Sequence, residues 1–98
     1  MKIAVTYDNE QIFQHFGHTE QFKIYDVKND KIISKTVIST NGQGHGALSC
    51  FLKENKVDVL ICGGIGGGAQ MALAEAEIKL YGGVAGDADS AVNALVAG

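Results

Sequence analysis

The sequence predicts an α/β fold built on a five-stranded mixed sheet, and three observations carry that reading. Val57 to Cys62 is a short β-branched run without polar alternation, the pattern of a central parallel strand buried on both faces. It breaks into Gly63-Gly64-Ile65-Gly66-Gly67-Gly68, after which Ala69, Ala72, Leu73 and Ala76 recur at helical spacing. The earlier part of the chain instead holds two alternating segments joined by a polar turn. A hairpin first and crossovers afterwards give a mixed sheet with helices on both faces.

Each element follows from local chemistry. Lys2 to Tyr7, with Ile3, Ala4 and Val5, is a buried-type strand that ends at the polar cluster Asp8-Asn9-Glu10. Gln11 to His18 is a loop too hydrophobic and too rich in histidine to be a spacer, and it is expected to fold back over the end of the sheet. Glu20 to Val27 and Lys31 to Ile38 form an antiparallel hairpin through Asn29-Asp30, residues that tolerate the left-handed backbone of a tight turn. After the glycine-rich loop Ser39 to Gly46, the residues Ala47, Leu48, Phe51 and Leu52 predict a helix over about 46–55, with Cys50 packed inside it. Glu77 to Tyr81 reads as a last strand. Asp87 is placed as the N-cap of a helix carrying Ala88, Ala91, Val92, Leu95 and Val96.

With the expected strands numbered 1 to 5, the order is 3-2-1-4-5, strand 2 antiparallel to the rest. Helices on both faces make this a three-layer α/β/α, ribonuclease H-like topology. The loops 8–18, 63–68 and 82–87 then converge at one rim, within reach of 39–46. Ligands of open α/β sheets bind beyond the carboxyl ends of the strands, so the rim is the expected site.

Composition narrows the function. The 98 residues suit one domain over 1–98, and 46% hydrophobic with 19% charged residues is ordinary for a folded soluble chain. The net charge of -3 and the lack of a Lys/Arg cluster exclude a nucleic-acid or acidic-membrane surface. Met1 to Val5 enters a strand directly and no apolar run could span a bilayer, so a cytoplasmic location is expected. Cys50 and Cys62 are too far apart for a CxxC motif, and they are expected to be thiols.

Three chemistries compete for the rim. Two-metal nuclease chemistry needs converging carboxylates, and Asp8 has no acidic partner at the end of the Val57–Cys62 strand. A nucleotide-phosphate loop needs a GxGxxG with a spaced acid or a P-loop lysine, and neither is present. Soft and borderline metal ligands are at hand in His15, His18, His45 and Cys62, which the topology gathers near one rim. The amides of the Gly63–Gly68 loop, Ile65 to Gly68 above all, can act as a backbone nest for an anionic ligand.

With those residues in place, the chain resembles the dinitrogenase iron-molybdenum cofactor biosynthesis family, the NifX and NifB carboxy-terminal type of domain, over its whole length. The resemblance lies in Met1 to Val5, His15-Phe16-Gly17, His45-Gly46, Val57 to Gly66 and Tyr81-Gly82-Gly83-Val84. It implies the ribonuclease H-like fold and non-covalent carriage of an iron-molybdenum cofactor, its iron-sulfur precursor or a molybdenum-copper sulfide cluster, in nitrogen fixation or outside it. His15 and His45 match positions where the family has histidine. His18 stands where many relatives have Arg, and Gly67-Gly68 where they have a Pro-Arg pair, so positive charge is removed at both places.

A non-catalytic cytoplasmic carrier or scaffold for a metal-sulfur cluster is therefore the leading expectation, with cluster-assembly or acceptor proteins as partners. A metal-free interaction module using the glycine loops is its first rival, and an enzyme acting on a phosphorylated small molecule its second. No nucleophile-base pair or paired carboxylates support catalysis. A monomer or weak homodimer is expected, because Lys31 and Lys35 protect the edge segment 31–38.

Overall fold

The structure, a computed structural model, describes residues 1–41 and 45–97, with the side chains of the first helix described from Ala47 onward. In chain order the elements are β1 (Lys2–Asp8), β2 (Gln11–Ile12), a 3-10 turn (Phe16–His18), β3 (Gln21–Lys28), β4 (Lys31–Ser39), α1 (His45–Glu54), β5 (Val59–Ile61), α2 (Gly67–Glu75), β6 (Lys79–Tyr81) and α3 (Ala88–Ala97).

The α/β class and the mixed sheet are as expected, and one feature of the expected sheet, its strand count, is corrected. It has six strands rather than five, because β2 pairs with β1 off the main path; its order, β4-β3-β1-β5-β6 in the new numbering, keeps the five expected strands in the sequence 3-2-1-4-5. The added strand, which renumbers those after it, arises because Asn9 and Glu10 both adopt left-handed backbone, φ 48° and 69°. That tight turn brings Ile12 opposite Tyr7 and Gln11 opposite Asp8. β3 is antiparallel to both of its neighbours, whereas β1, β5 and β6 run parallel.

The hairpin turn falls where the sequence puts it, with Asn29 and Asp30 at φ 52° and 61°. Along it Asp26 pairs with Ser34 but Val27 pairs with Ile32, so Ile33 stands as a bulge and is 63% exposed. The bulge and two lysines blunt this edge strand.

Side chains alternate between two cores. On one face Ala4, Phe22, Ile24, Leu60 and Cys62 pack under Leu48 and Leu52 of α1 and Leu73 of α2. On the other, Ile3, Val5, Tyr25, Val59 and Ile61 pack under Ala88 and Val92 of α3. Leu48, Leu52 and Leu73 are fully buried, and each contributes about 2 kcal/mol through removal of its surface from water. Cys50 does not pack as expected. It lies on the opposite side of α1 from the Leu48–Leu52 stripe and is exposed.

Asp87 caps α3, its Oδ2 accepting from the Ser90 backbone N–H at 2.9 Å. In the first turn of the same helix, Asp89 accepts from Tyr25 OH at 2.6 Å, Lys23 Nζ at 2.9 Å and Lys35 Nζ at 3.1 Å, tying α3 to β3 and β4. Among the described residues, no helix is long and apolar enough to cross a membrane.

Candidate functional site

The three rim loops are joined by backbone hydrogen bonds. Gly64 N–H donates to Gln14 O at 2.6 Å and Phe16 N–H to Gly64 O at 3.0 Å, which makes a parallel bridge between His15 and Gly64. Gly83 N–H donates to Gly63 O at 2.8 Å, and Ile12 N–H to Gly86 O at 2.9 Å. Gln14 adds its side-chain amide, donating to Ile12 O at 3.0 Å and to Val84 O at 3.2 Å. The rim is thus a continuation of the sheet, which fixes the histidine loop against the end of β5.

The glycines of the central loop divide into two kinds. At Gly63 an added Cβ would lie 2.6 Å from Gln14 Cα, and at Gly64 3.1 Å from Gln14 O, so these two permit the close approach of the histidine loop. At Gly66, Gly67 and Gly68 an added Cβ would meet nothing within 4 Å. Nothing among the described residues requires these three to be glycine, and the missing side chains leave the amino end of α2 bare of them.

That end has no side chain satisfying its backbone donors. Gly66 is the N-cap, at φ -75° with no side-chain cap, and the first turn carries no acidic residue. The first intrahelical donor is Gln70 N–H, to Gly66 O at 3.0 Å, so the amides before it point outward with the positive end of the helix dipole. In front of them lies a cavity of about 380 Å³ lined by Phe16, Gly17, Ser49, Gly66, Gly68, Ala69 and Ala72.

None of the described candidate ligands His15, His18 and Cys62 is in the lining of this cavity. His15 is exposed, bridged to Gly64, with its ring edge-on to Phe13 at 6.2 Å. His18 lines a separate depression of about 200 Å³ with Tyr7, Asp8, Phe13, Glu20 and Gln21. Cys62 is fully buried in the core under α1 and α2, and burial pushes its thiol up to about 11. His45 opens α1, but its side chain lies outside the described residues, as does the loop at Gly42 to Gly44. Among the described residues, no three His, Cys, Asp or Glu side chains come together as a metal site.

The sequence pattern of the dinitrogenase iron-molybdenum cofactor family matches residues 1–98. The chain belongs to this family. One relative within reach, an uncharacterized protein of Methanocaldococcus jannaschii, is 35% identical over 86 residues, covering 83% of this chain and 73% of that one. Two solved structures share the fold. The protein PH0822 gives a TM-score of 0.94 at 22% identity over 99% of this chain and 89% of its own. The apo form of the orange protein from Desulfovibrio gigas gives 0.76 at 24% identity, over 98% and 83%.

As a member of the dinitrogenase iron-molybdenum cofactor family, the chain brings His15 and the open glycines of α2 to one rim. Sequence reasoning missed Ser49, a polar residue just 8% exposed that lines the cavity from α1. Its signal was its position one residue after Leu48, which turns it toward α2 at the border of the buried stripe.

Proposed function

We propose that this chain is a non-catalytic carrier or scaffold that binds a metal-sulfide cluster at the amino end of α2: an iron-molybdenum cofactor, its iron-sulfur precursor or a related molybdenum-copper sulfide. A single ribonuclease H-like domain over 1–98 holds it, in a soluble, cytoplasmic protein. Family membership supports the class of cargo, and one observation carries the placement. Three successive glycines, Gly66 to Gly68, stand open where the fold has no need of them.

The donors suit a preassembled cluster better than a bare ion. A cluster brings its own sulfide ligands, so it needs few protein bonds to metal and many weak donors to sulfur. His15 supplies an imidazole at the edge of the rim, a borderline ligand that binds iron or copper. His45, at the start of the neighbouring helix, is proposed as the second. The outward amides of Gly67, Gly68 and Ala69 donate to bridging or terminal sulfides, and the helix dipole favours their negative charge. Phe16, Ala69 and Ala72 give the cavity an apolar wall against which a sulfide surface can rest. His18 lies around the corner, and we propose it as an outer contact of the cargo or of an acceptor protein. Cys62 is proposed as a core residue, since a ligand must be a thiolate and this thiol is buried and held protonated.

Anaerobic incubation of the apoprotein with iron and sulfide, and separately with molybdate, copper and sulfide, followed by desalting, tests the reading. Charge-transfer absorbance that stays with the protein supports carriage and identifies the cargo by which mixture produces it. A colourless protein after every mixture contradicts it.

A further inference from the structure

We propose that Ser49 is a specificity-determining donor of the α2 cavity, its hydroxyl hydrogen-bonding to an anionic acceptor atom that the first-turn amides of α2 hold from the other side. The inference deepens the carrier reading and rests on its placement of the ligand at the amino end of α2.

The two sets of donors are independent features of the fold. α1 and α2 pack side by side over the same core, with Leu48, Leu52 and Leu73 beneath them. On α1, Ser49 follows Leu48 and faces the seam, where it lines both the 380 Å³ cavity and an adjoining groove of about 330 Å³ that carries Cys50, Lys53 and Glu75. It is 8% exposed, yet its hydroxyl has no hydrogen-bond partner among the described residues. A nearly buried hydroxyl is normally paired within the protein. Among the described residues no buried side-chain polar atom lacks a partner, so the unpaired Ser49 oxygen is itself reached from the cavity, and a group bound there would take its hydrogen bond in place of solvent.

Across the cavity the amides ahead of Gln70 are uncapped, and the glycines carrying them leave open space. Ser49 is the single polar side chain in the lining, and no charged one joins it among the described residues. Recognition therefore uses neutral donors from two directions, a hydroxyl from α1 and amides from α2. Such a site selects a ligand for the position of an acceptor atom, a terminal oxide, a sulfide or a phosphate-type oxygen, more than for total charge.

The test titrates the full chain with inorganic phosphate and follows the backbone amide resonances of Gly66, Gly67 and Gly68, in wild type, Ser49→Ala and Ser49→Thr. Alanine is the better helix former, so the Ser49→Ala protein is expected to fold. Phosphate should shift the three resonances in wild type, bind about tenfold more weakly to Ser49→Ala, and regain near wild-type affinity in Ser49→Thr, as expected for one hydrogen bond to a charged acceptor. Equal affinities in wild type and Ser49→Ala, or no shift of the three resonances in wild type, would overturn the inference. Cluster retention measured on the same samples keeps the two readings apart. Retention together with Ser49-independent phosphate binding sinks this inference alone. Ser49-dependent binding by a protein that retains no cluster sinks the carrier reading alone.

Discussion

Gly63 lies directly against Gln14, so close that a Cβ at position 63 would stand 2.6 Å from Gln14 Cα and 2.7 Å from its Oε1. The contact is backbone on backbone, and the neighbouring Gly64–Gln14 hydrogen bond holds it in place. Gly63→Ala must therefore push the histidine loop off the end of β5. We expect a loss of about 2–3 kcal/mol in urea unfolding, in the range of overpacking substitutions, with displaced amide resonances at His15 and Phe16.

Gly68→Ala should do the reverse to stability. Position 68 has open space and an ordinary helical backbone, so alanine restricts the unfolded chain and favours α2, with an expected gain of about 0.5–1 kcal/mol. The added methyl enters the cavity in front of the amides. A variant that melts higher and retains less cluster is the expected outcome, and equal retention would show that the open glycine has no part in binding.

Asp89 gives the protein an acid-sensitive tie. Hydrogen bonds from Tyr25, then Lys23 and Lys35, hold its carboxyl well below the ordinary value of 3.8. Because the folded value is the lower one, the stabilisation is present above the unfolded value and is lost as pH falls from about 3.8 toward the folded value. Asp89 is 38% exposed, which screens the ion pairs, so Asp89→Asn should cost about 1–2 kcal/mol at neutral pH. Melting temperatures from pH 2 to 7 should fall more steeply below pH 4 in wild type than in the variant.

The two cysteines should differ in reactivity. Cys50 is exposed, whereas Cys62 is buried and its thiol raised to about 11. A thiol-disulfide reagent at pH 8 should titrate one thiol in the native protein and two after unfolding. Cys62→Ala should keep any cluster the wild type keeps, and loss of metal in that variant would assign Cys62 a ligand role.

Legibility in the sequence followed from how local each cause was. The β-branched run before Cys62, the Asn29-Asp30 turn and the Asp87 cap were readable because each residue type matches its own backbone need. β2 was hidden because Glu10 adopts φ 69°, a conformation its side chain does not favour and the pairing of Ile12 with Tyr7 imposes. Cys50 was misplaced for want of helix phase, since two residues beyond Leu48 is the far side of α1. Within the glycine run, composition alone could not separate Gly63, confined by Gln14, from Gly66 to Gly68, confined by nothing. The cluster on Asp89 joins Tyr25, Lys23 and Lys35 across about 60 residues of chain, and no spacing rule reaches that far.

Metal and labile sulfide per chain, measured after anaerobic iron-sulfide loading and desalting of wild type and His15→Ala, test the central claim most directly. His15 is exposed and makes its bridge to Gly64 through backbone, so alanine leaves the fold intact. We expect near-stoichiometric iron and sulfide in wild type and a marked loss of both in the variant. Equal retention by the two, or none in either, would contradict a cluster held at this rim.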